Sequence, residues 1–203
     1  MQFETNYTVD FKNRSPLDGV DELFYKRWSP RSFKKTIIPE DILNAIFDAA
    51  RWAPSCFNEQ PWLIVTSSGE EDFGIFLDLL RESNQEWAQN ASILGFIFAR
   101  KNFSHNQSPN RYSFFDCGAA WMALTQQANM YGLYTHCMGG IMRKEVNKKL
   151  NVPEDEYEVV CGFAIGVIDT PEKLSEDLAK REMPSSRKSL IEIWKQGKLP
   201  AKE

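Results

Sequence analysis

Two arginines and a serine near the start of the chain are spaced so that they can bind one anion. Arg27, Ser29 and Arg31 recur at every second residue, and in an extended segment side chains at this spacing project to one side. Guanidinium and hydroxyl groups that converge on one point suit a phosphate, which accepts charge-assisted and often bidentate hydrogen bonds. The spacing alone is a weak signal, because isolated arginines are usually solvated at the surface.

A second polar motif, at residues 53–62, reads Ala-Pro-Ser-Cys-Phe-Asn-Glu-Gln-Pro-Trp. Asn58 and Gln60 each carry an amide that both donates and accepts hydrogen bonds, as the edge of a heteroaromatic ring requires. Pro54 and Pro61 bracket these amides and stiffen the loop. The two motifs together predict a two-part site for a cofactor that has a phosphate and a flat ring.

The two motifs resemble those of the nitroreductase family of FMN-dependent oxidoreductases. That family has Arg-x-Ser-x-Arg-x-Phe ahead of a helix and Ala-Pro-Ser-x-x-Asn-x-Gln-Pro-Trp at the end of the helix. Gly139-Gly140-Ile141 sits where the family has a segment that passes close to the flavin. Arg187-Lys188 sits where the family has a late basic residue that returns to the phosphate. Matching elements run over about residues 25–194.

The resemblance implies a layered α+β fold, with a mixed sheet flanked by helices, in an intertwined dimer that exchanges its C-terminal segments. It implies FMN as the cofactor and NADH or NADPH as a transient electron donor. The acceptor would be a nitroaromatic, a quinone, an enone or free flavin, reduced in a ping-pong cycle. Because the flavin carries the chemistry, no catalytic side chain is assigned. The implied cofactor-binding residues are Arg27, Trp28, Ser29, Arg31, Pro54, Ser55, Cys56, Asn58, Gln60, Met138, Gly139, Gly140 and Arg187.

The chain departs from the family pattern at three positions. Trp28 stands where a second arginine is common, which removes one positive charge but keeps a usable main-chain N–H. Cys56 stands where the family often has a small polar residue, and Ser185 where some members have a lysine or arginine. Contacts of Ser185 and of Lys188 with the phosphate therefore stay open.

Composition favours one globular domain that binds neither nucleic acid nor membranes. We expect a single domain over residues 1–203, with a core of about 25–195, an N-terminal arm of 1–24 and a C-terminal segment of 185–203. The net charge of -4 disfavours a surface built to coat nucleic acid or anionic lipid. No signal-peptide pattern and no long apolar run is present, so we expect a cytoplasmic protein.

Hydrophobic periodicity and helix signals predict the elements that position the motifs. Pro39, followed by two acidic residues, marks the start of a helix that leads to Ala53. Asp116 falls within another predicted helix, where we expect it to face solvent. The further helices are predicted over about residues 71–82, 112–131 and 143–150, and the strands over 63–66, 93–99, 134–138 and 158–167.

Motifs of other enzyme classes are absent from the sequence. There is no Gly-x-Gly-x-x-Gly, no Walker A motif and no Gly-x-Ser-x-Gly. His105 is expected to be solvated, whereas His136 is either structural or part of the cofactor site. No histidine pair or Cys-x-x-Cys predicts a metal site. Two alternatives to an enzyme stay open: a flavin-binding sensor or carrier without turnover, and a phosphate- or nucleic-acid-binding surface.

Overall fold

The computed structural model describes residues 2–199 and shows an α+β fold built on a five-stranded sheet. The strands are β1 (Phe33–Lys34), β2 (Trp62–Thr66), β3 (Ile93–Arg100), β4 (Tyr134–Met138) and β5 (Tyr157–Ile168). The helices are α1 (Glu22–Tyr25), α2 (Glu40–Arg51), α3 (Glu70–Asp78), α4 (Glu82–Ala88), α5 (Ser113–Met130), α6 (Arg143–Lys149), α7 (Glu176–Ala179) and α8 (Leu190–Ile193). The predicted α+β class is confirmed.

Strand β5 is the centre of the sheet. Strand β5 pairs with β3, β4 and β1, and β2 lies outside β3. All of these pairs are antiparallel, so the prediction of a mixed sheet is wrong. Two consecutive helices, α3 and α4, join β2 to β3 and return the chain to the end of the sheet where β2 stopped. A parallel pair would require a crossover to the opposite end.

Helices cover both faces of the sheet. Strand β3 shows this, because Phe96 and Phe98 pack with α3 and α4 on one face, whereas Ile97 and Ala99 pack with α2 and α5 on the other. Successive residues of a strand point to opposite faces, so a strand covered on both sides needs an uninterrupted apolar run. Within residues 2–199 we find no helix of the length and apolarity that crossing a membrane requires.

The predicted elements agree with the structure except around residues 71–82. One helix was predicted there, but α3 ends at Asp78 and α4 begins at Glu82. The interruption lets the backbone pair with the segment after β4, since the N–H of Arg81 donates to the carbonyl of Gly140 (3.0 Å) and that of Met142 to Leu79 (2.8 Å). The short elements β1, α7 and α8 were not predicted, because none is long enough to show a period.

We expect Gly95→Ala to lower the free energy of unfolding by about 1–3 kcal/mol, the usual cost of overpacking a filled core. A Cβ at Gly95 would lie 2.3 Å from Cζ of Phe163, which is fully buried on β5. Urea unfolding measures the change. Gly74→Ala is the control, because its Cβ would meet nothing within 4 Å, and alanine should stabilise α3 by up to about 1 kcal/mol. Similar losses in both variants would contradict this packing.

Candidate functional site

A cavity of about 390 Å³ lies where the segment before β1, strand β4 and the chain after α7 meet. We call it the arginine cavity. Five of the residues predicted from the sequence to bind the cofactor line it together: Arg27, Trp28, Ser29, Arg31 and Arg187. The other lining residues are Arg14, His136, Arg181, Met183 and Ser185. Ser185, whose role the sequence left open, is thus at the cavity, and Lys188 is not among the lining residues.

The predicted anion-binding segment is held by a buried carboxylate. Glu182 accepts hydrogen bonds at Oε1 from the main-chain N–H groups of Arg31 (2.5 Å) and Ser32 (2.8 Å). Its Oε2 lies 3.7 Å from Nη1 of Arg31. Burial raises the pKa of Glu182, since removal from water disfavours the charged form. Sequence reasoning missed Glu182, because no local pattern connects it to residues 150 positions away.

The arginine cavity is strongly electropositive. Arg27 donates from Nη1 to the hydroxyl of Ser29 (3.1 Å), so these two side chains do lie on one side of the segment. Burial, with the charge of Arg187, lowers the pKa of Arg27. Burial also lowers the pKa of Arg14 to about 10, and the charges of Arg187 and Arg27 add to this. Guanidinium groups whose protonated forms are disfavoured in this way would be stabilised by an anion.

His136 lines the arginine cavity as a neutral imidazole. Its Nδ1 is 2.8 Å from the carbonyl of Pro30, and because a carbonyl can only accept, Nδ1 carries the proton. The ring packs against Trp87 with 4.6 Å between centroids. Burial lowers the pKa of His136 to about 4, and the nearby charges of Arg31 and Arg27 act in the same direction. His136 therefore adds no positive charge at neutral pH.

The second motif lies far from the arginine cavity in the same chain. No residue of the loop 54–60 lines the cavity. Strand β2, which follows the loop, starts at Trp62 level with Glu158 of β5, whereas β1 pairs Phe33 with Ile168 at the other end of β5. At about 3.3 Å per residue this places the two motifs roughly 30 Å apart along the sheet. The two motifs therefore do not meet within a single chain.

The loop 54–60 has an unusual backbone. Phe57, Asn58 and Gln60 have φ angles of 54°, 55° and 50°, in the left-handed region that residues with a Cβ seldom adopt. Ser55 stabilises the turn, because its Oγ accepts a hydrogen bond from the N–H of Gln60 (2.9 Å). The side chain of Gln60 donates to the carbonyl of Asn58 (3.0 Å). The side chain of Asn58 is exposed at the surface of the loop. The side-chain amide of Gln60 already donates a hydrogen bond within the loop.

Asp116 anchors this loop, and the prediction that it faces solvent is wrong. Its side chain is buried at the start of α5, and its Oδ2 accepts a hydrogen bond from the N–H of Cys56 (3.1 Å). A second carboxylate, Glu59, accepts from the N–H of Ser104 (2.8 Å) and so attaches the following loop. His105 is exposed, as predicted, and lies beside the rings of Phe57 and Phe103. Pro54, which was predicted to bind the cofactor, is exposed on the same loop.

The glycine pair after β4 has two different roles. Gly139 is exposed, and a Cβ there would meet nothing within 4 Å, so its backbone is open to a ligand. At Gly140 a Cβ would lie 2.6 Å from Nδ2 of Asn84, so a larger residue would displace this side chain, which donates to the carbonyl of Gly140 (2.9 Å). Gly139 follows His136 by three residues, or roughly 10 Å along the strand. The predicted residue Met138 is buried in the core.

The donors of the arginine cavity fit a phosphate monoester. Several guanidinium groups and a hydroxyl converge there, and a dianion would receive charge-assisted hydrogen bonds from them. The cavity is lined by no aspartate or glutamate. Across residues 2–199, His, Cys, Asp and Glu side chains form no group of three that could hold a metal ion.

Comparison with known proteins establishes the family. Residues 25–73 and 67–167 match the model of the nitroreductase family. This chain belongs to the nitroreductase family. A solved structure described as an oxidoreductase containing FMN is 40% identical, with a TM-score of 0.89 over 96% of this chain and 100% of that chain. The 4-nitrobenzoate reductase of Pseudomonas putida is 24% identical over 210 residues, which cover 82% of this chain and 92% of that protein.

Likeness to more distant nitroreductases extends to the whole fold. A protein of Exiguobacterium sibiricum, solved in complex with FMN, is 20% identical and has a TM-score of 0.71 over 96% of this chain and 100% of that chain. The resemblance inferred from the two motifs is thus confirmed.

Arg14 precedes the residues that match the family model, which is one reason why sequence reasoning did not find it.

We expect the free energy of unfolding to depend less on pH in His136→Asn than in the natural protein. Between pH 6.5 and 4 the unfolded chain binds a proton at His136 that the folded chain excludes. Stability is therefore lost as the pH falls through this range, with a slope from this group of up to about 1.4 kcal/mol per pH unit. Asparagine keeps a donor near Nδ1 but does not titrate.

Urea unfolding at several pH values gives this slope for each variant. His105→Asn is the control, because it removes the other histidine from an exposed loop. If His136→Asn and the natural protein showed the same slope, the imidazole would be protonated in the folded state.

Proposed function

We propose that this nitroreductase-family protein is an FMN-dependent oxidoreductase that uses NADH or NADPH to reduce a small acceptor. The arginine cavity carries this proposal, because it gathers five guanidinium groups and the hydroxyl of Ser29 around a space that suits one phosphate. The 40%-identical relative contains FMN, and the P. putida relative is a 4-nitrobenzoate reductase. Both support a flavin-dependent reduction.

The side chains of Arg27, Ser29, Arg31 and Arg187 would hold the phosphate. Glu182 keeps the backbone of Arg31 in place through its two main-chain hydrogen bonds, so that the guanidinium group is positioned before the ligand arrives. The donors gather at one cavity, and the sequence contains no glycine-rich pyrophosphate loop. We therefore propose FMN, with its single terminal phosphate, rather than FAD.

When bound, FMN would take electrons from the reduced nicotinamide and pass them to the acceptor, in a ping-pong cycle. The protein would contribute orientation and hydrogen bonds. Near the ring we propose the exposed amide of Asn58, main-chain groups of Ser55, and the open backbone at Gly139. Donors placed in advance stabilise negative charge that develops on a ligand. The proposed acceptors are nitroaromatics, quinones, enones and free flavin.

We propose a homodimer in which the loop 54–60 of one chain completes the site at the arginine cavity of the other. The two motifs lie roughly 30 Å apart within one chain, so one cofactor requires a second chain to contact both. Large apolar side chains are exposed at and near the loop, with Trp52, Phe57 and Phe115 each at least 75% exposed. Helix α8 also exposes three apolar side chains, Leu190, Ile191 and Ile193, and Trp194 directly after it is exposed as well. Exposed apolar patches of this kind mark interfaces.

We propose the cytoplasm as the location. Cys56, Cys117, Cys137 and Cys161 are all free thiols, which fits a reducing compartment.

We expect the purified protein to be yellow and to release FMN, not FAD, when it is denatured and the extract is chromatographed. Under anaerobic conditions NADH or NADPH should bleach the flavin, and a nitroaromatic or quinone should restore the colour. If neither NADH nor NADPH lowered the flavin absorbance, the result would support a flavin-binding sensor or carrier instead of an enzyme. FAD as the main flavin would contradict the assignment of the arginine cavity to a single phosphate.

The arginine assignment itself is tested by Arg31→Ala. We expect FMN affinity to fall about tenfold to a hundredfold, the worth of one charged hydrogen bond of roughly 1.5–3 kcal/mol. Arg51→Ala, which removes an exposed arginine at the end of α2, should leave the affinity unchanged. An unchanged affinity in Arg31→Ala would mean that Arg31 does not contact the phosphate.

Light scattering should show a dimer, and Phe115→Asp should dissociate it. Phe115 is 79% exposed on α5. If it packs against the second chain, an aspartate in its place would bury an unpaired carboxylate in the interface, which is costly. The variant should also bind FMN more weakly, although its arginine cavity is unaltered. Ile75→Asp is the control, because Ile75 is exposed on α3, on the opposite face of the sheet. A natural protein that is monomeric and retains FMN would contradict the shared site.

A further inference from the structure

Arg14 joins three separate parts of the chain at the arginine cavity. Its Nη1 donates to the carbonyl of Tyr25 (2.5 Å) and to that of Arg27 (2.6 Å). Its Nε donates to the carbonyl of Ser185 (3.2 Å). Through one guanidinium group, the N-terminal arm is thereby attached both to the predicted anion-binding segment and to the chain after α7.

The rest of the arm is attached at points distant in sequence. The N–H of Phe3 donates to the carbonyl of Tyr131 (2.7 Å), and Oγ1 of Thr5 donates to the carbonyl of Ile168 (2.9 Å). Near the cavity, the side chain of Asn13 makes only a long contact with the sulfur of Met183 (4.0 Å). The three hydrogen bonds of Arg14 are therefore the main polar attachment of the arm at this place.

The orientation of Arg14 shows that it serves the backbone of the site. Three of its N–H donors are directed at main-chain carbonyls, and two of these carbonyls belong to segments that also supply Arg27 and Arg187 to the cavity. The planar fork of a guanidinium group can reach several carbonyls at once, which the ammonium group of lysine cannot do in the same geometry. Arg14 is thus placed to set the distance between the two phosphate-binding segments.

Charge repulsion opposes this arrangement until an anion is present. The positive charges of Arg187 and Arg27 lie close enough to Arg14 to disfavour its protonated form, in addition to its burial. The carboxylate of Glu182 lies beside Arg31, not beside Arg14. A dianion would relieve the repulsion and favour the conformation in which Arg14 holds the segments together.

We propose that Arg14 is a positioning residue that couples phosphate binding to the docking of the N-terminal arm and of residues 185–187. The proposal rests on the proposed function in one respect, that the anion is the phosphate of FMN. Coupling between two events is reciprocal: the phosphate stabilises the docked arm, and the docked arm strengthens phosphate binding. The residues that match the family model begin at 25, so Arg14 lies outside the matched region.

Riboflavin provides the matched ligand for the test, because it has the ring and ribityl chain of FMN but no phosphate. After removal of bound flavin, the affinities of the full chain for FMN and for riboflavin are measured by fluorescence. We expect Arg14→Gln to weaken FMN binding about tenfold, or about 1.4 kcal/mol, and riboflavin binding less than twofold. Arg14→Lys should resemble Arg14→Gln, because it keeps the charge but loses the fork.

Lys12→Gln is the control for charge. Lys12 is an exposed cation of the same arm, so its removal changes the net charge as Arg14→Gln does, and neither affinity should change. Equal weakening of FMN and riboflavin in Arg14→Gln would overturn the proposal, since it would indicate a general effect on folding. Full rescue by Arg14→Lys would also overturn it, because charge alone would then explain the effect.

Hydrogen exchange on the unsubstituted protein tests the coupling even if the variants fail to fold. Inorganic phosphate and FMN should each slow amide exchange around residues 10–16 and 185–189, whereas riboflavin should not. Slower exchange at residues 27–32 without any change in the arm would overturn the proposal. A protein that binds neither flavin would contradict the proposed function, and protection of the arm by inorganic phosphate would then still decide the role of Arg14.

Discussion

The pairing of β5 with three other strands determines where each part of the site lies. Strands β4 and β1 pair with adjacent parts of the twelve-residue strand β5, at residues 162–166 and 167–168. The segment that contains Arg27 and Arg31 leads into β1, and β4 brings His136 beside it. Strand β3 lies between β5 and β2. The loop before β2 is therefore at the opposite corner of the sheet, and a shared site requires two chains.

Electrostatics explains why an anion would favour the arginine cavity and why a rigid frame would help to bind it. Burial disfavours the charged forms of Arg14 and Arg27, so a cavity that keeps them charged gains most from a ligand of high negative charge. The frame consists of hydrogen bonds to the main chain: Glu182 accepts from two N–H groups, and Arg14 donates to three carbonyls. Such preorganisation lowers the cost of ordering the site when the ligand binds.

The loop 54–60 shows how tertiary contacts maintain a backbone that its residues do not favour. Left-handed φ angles at Phe57, Asn58 and Gln60 are tolerated where surrounding contacts determine the conformation, and such residues are frequent at ligand sites. The buried carboxylate of Asp116 provides one of these contacts through the N–H of Cys56. Nothing in the local sequence distinguishes this aspartate from one that faces solvent, since its neighbours on α5 include both exposed and buried positions.

The sequence by itself determined the chemistry of the motifs, the positions of most helices and strands, and the family, because hydrogen-bonding capacity and hydrophobic period are local properties. The sequence also predicted that Arg27, Ser29 and Arg31 lie on one side of an extended segment, and all three line the arginine cavity. Only the tertiary structure decided that the sheet is antiparallel, that Glu182 and Arg14 hold the segment predicted to bind an anion, and that the two motifs lie at opposite corners of the sheet. These features depend on which strands pair and on contacts between residues far apart in the chain, and such contacts leave no periodic or spacing signal in a single sequence.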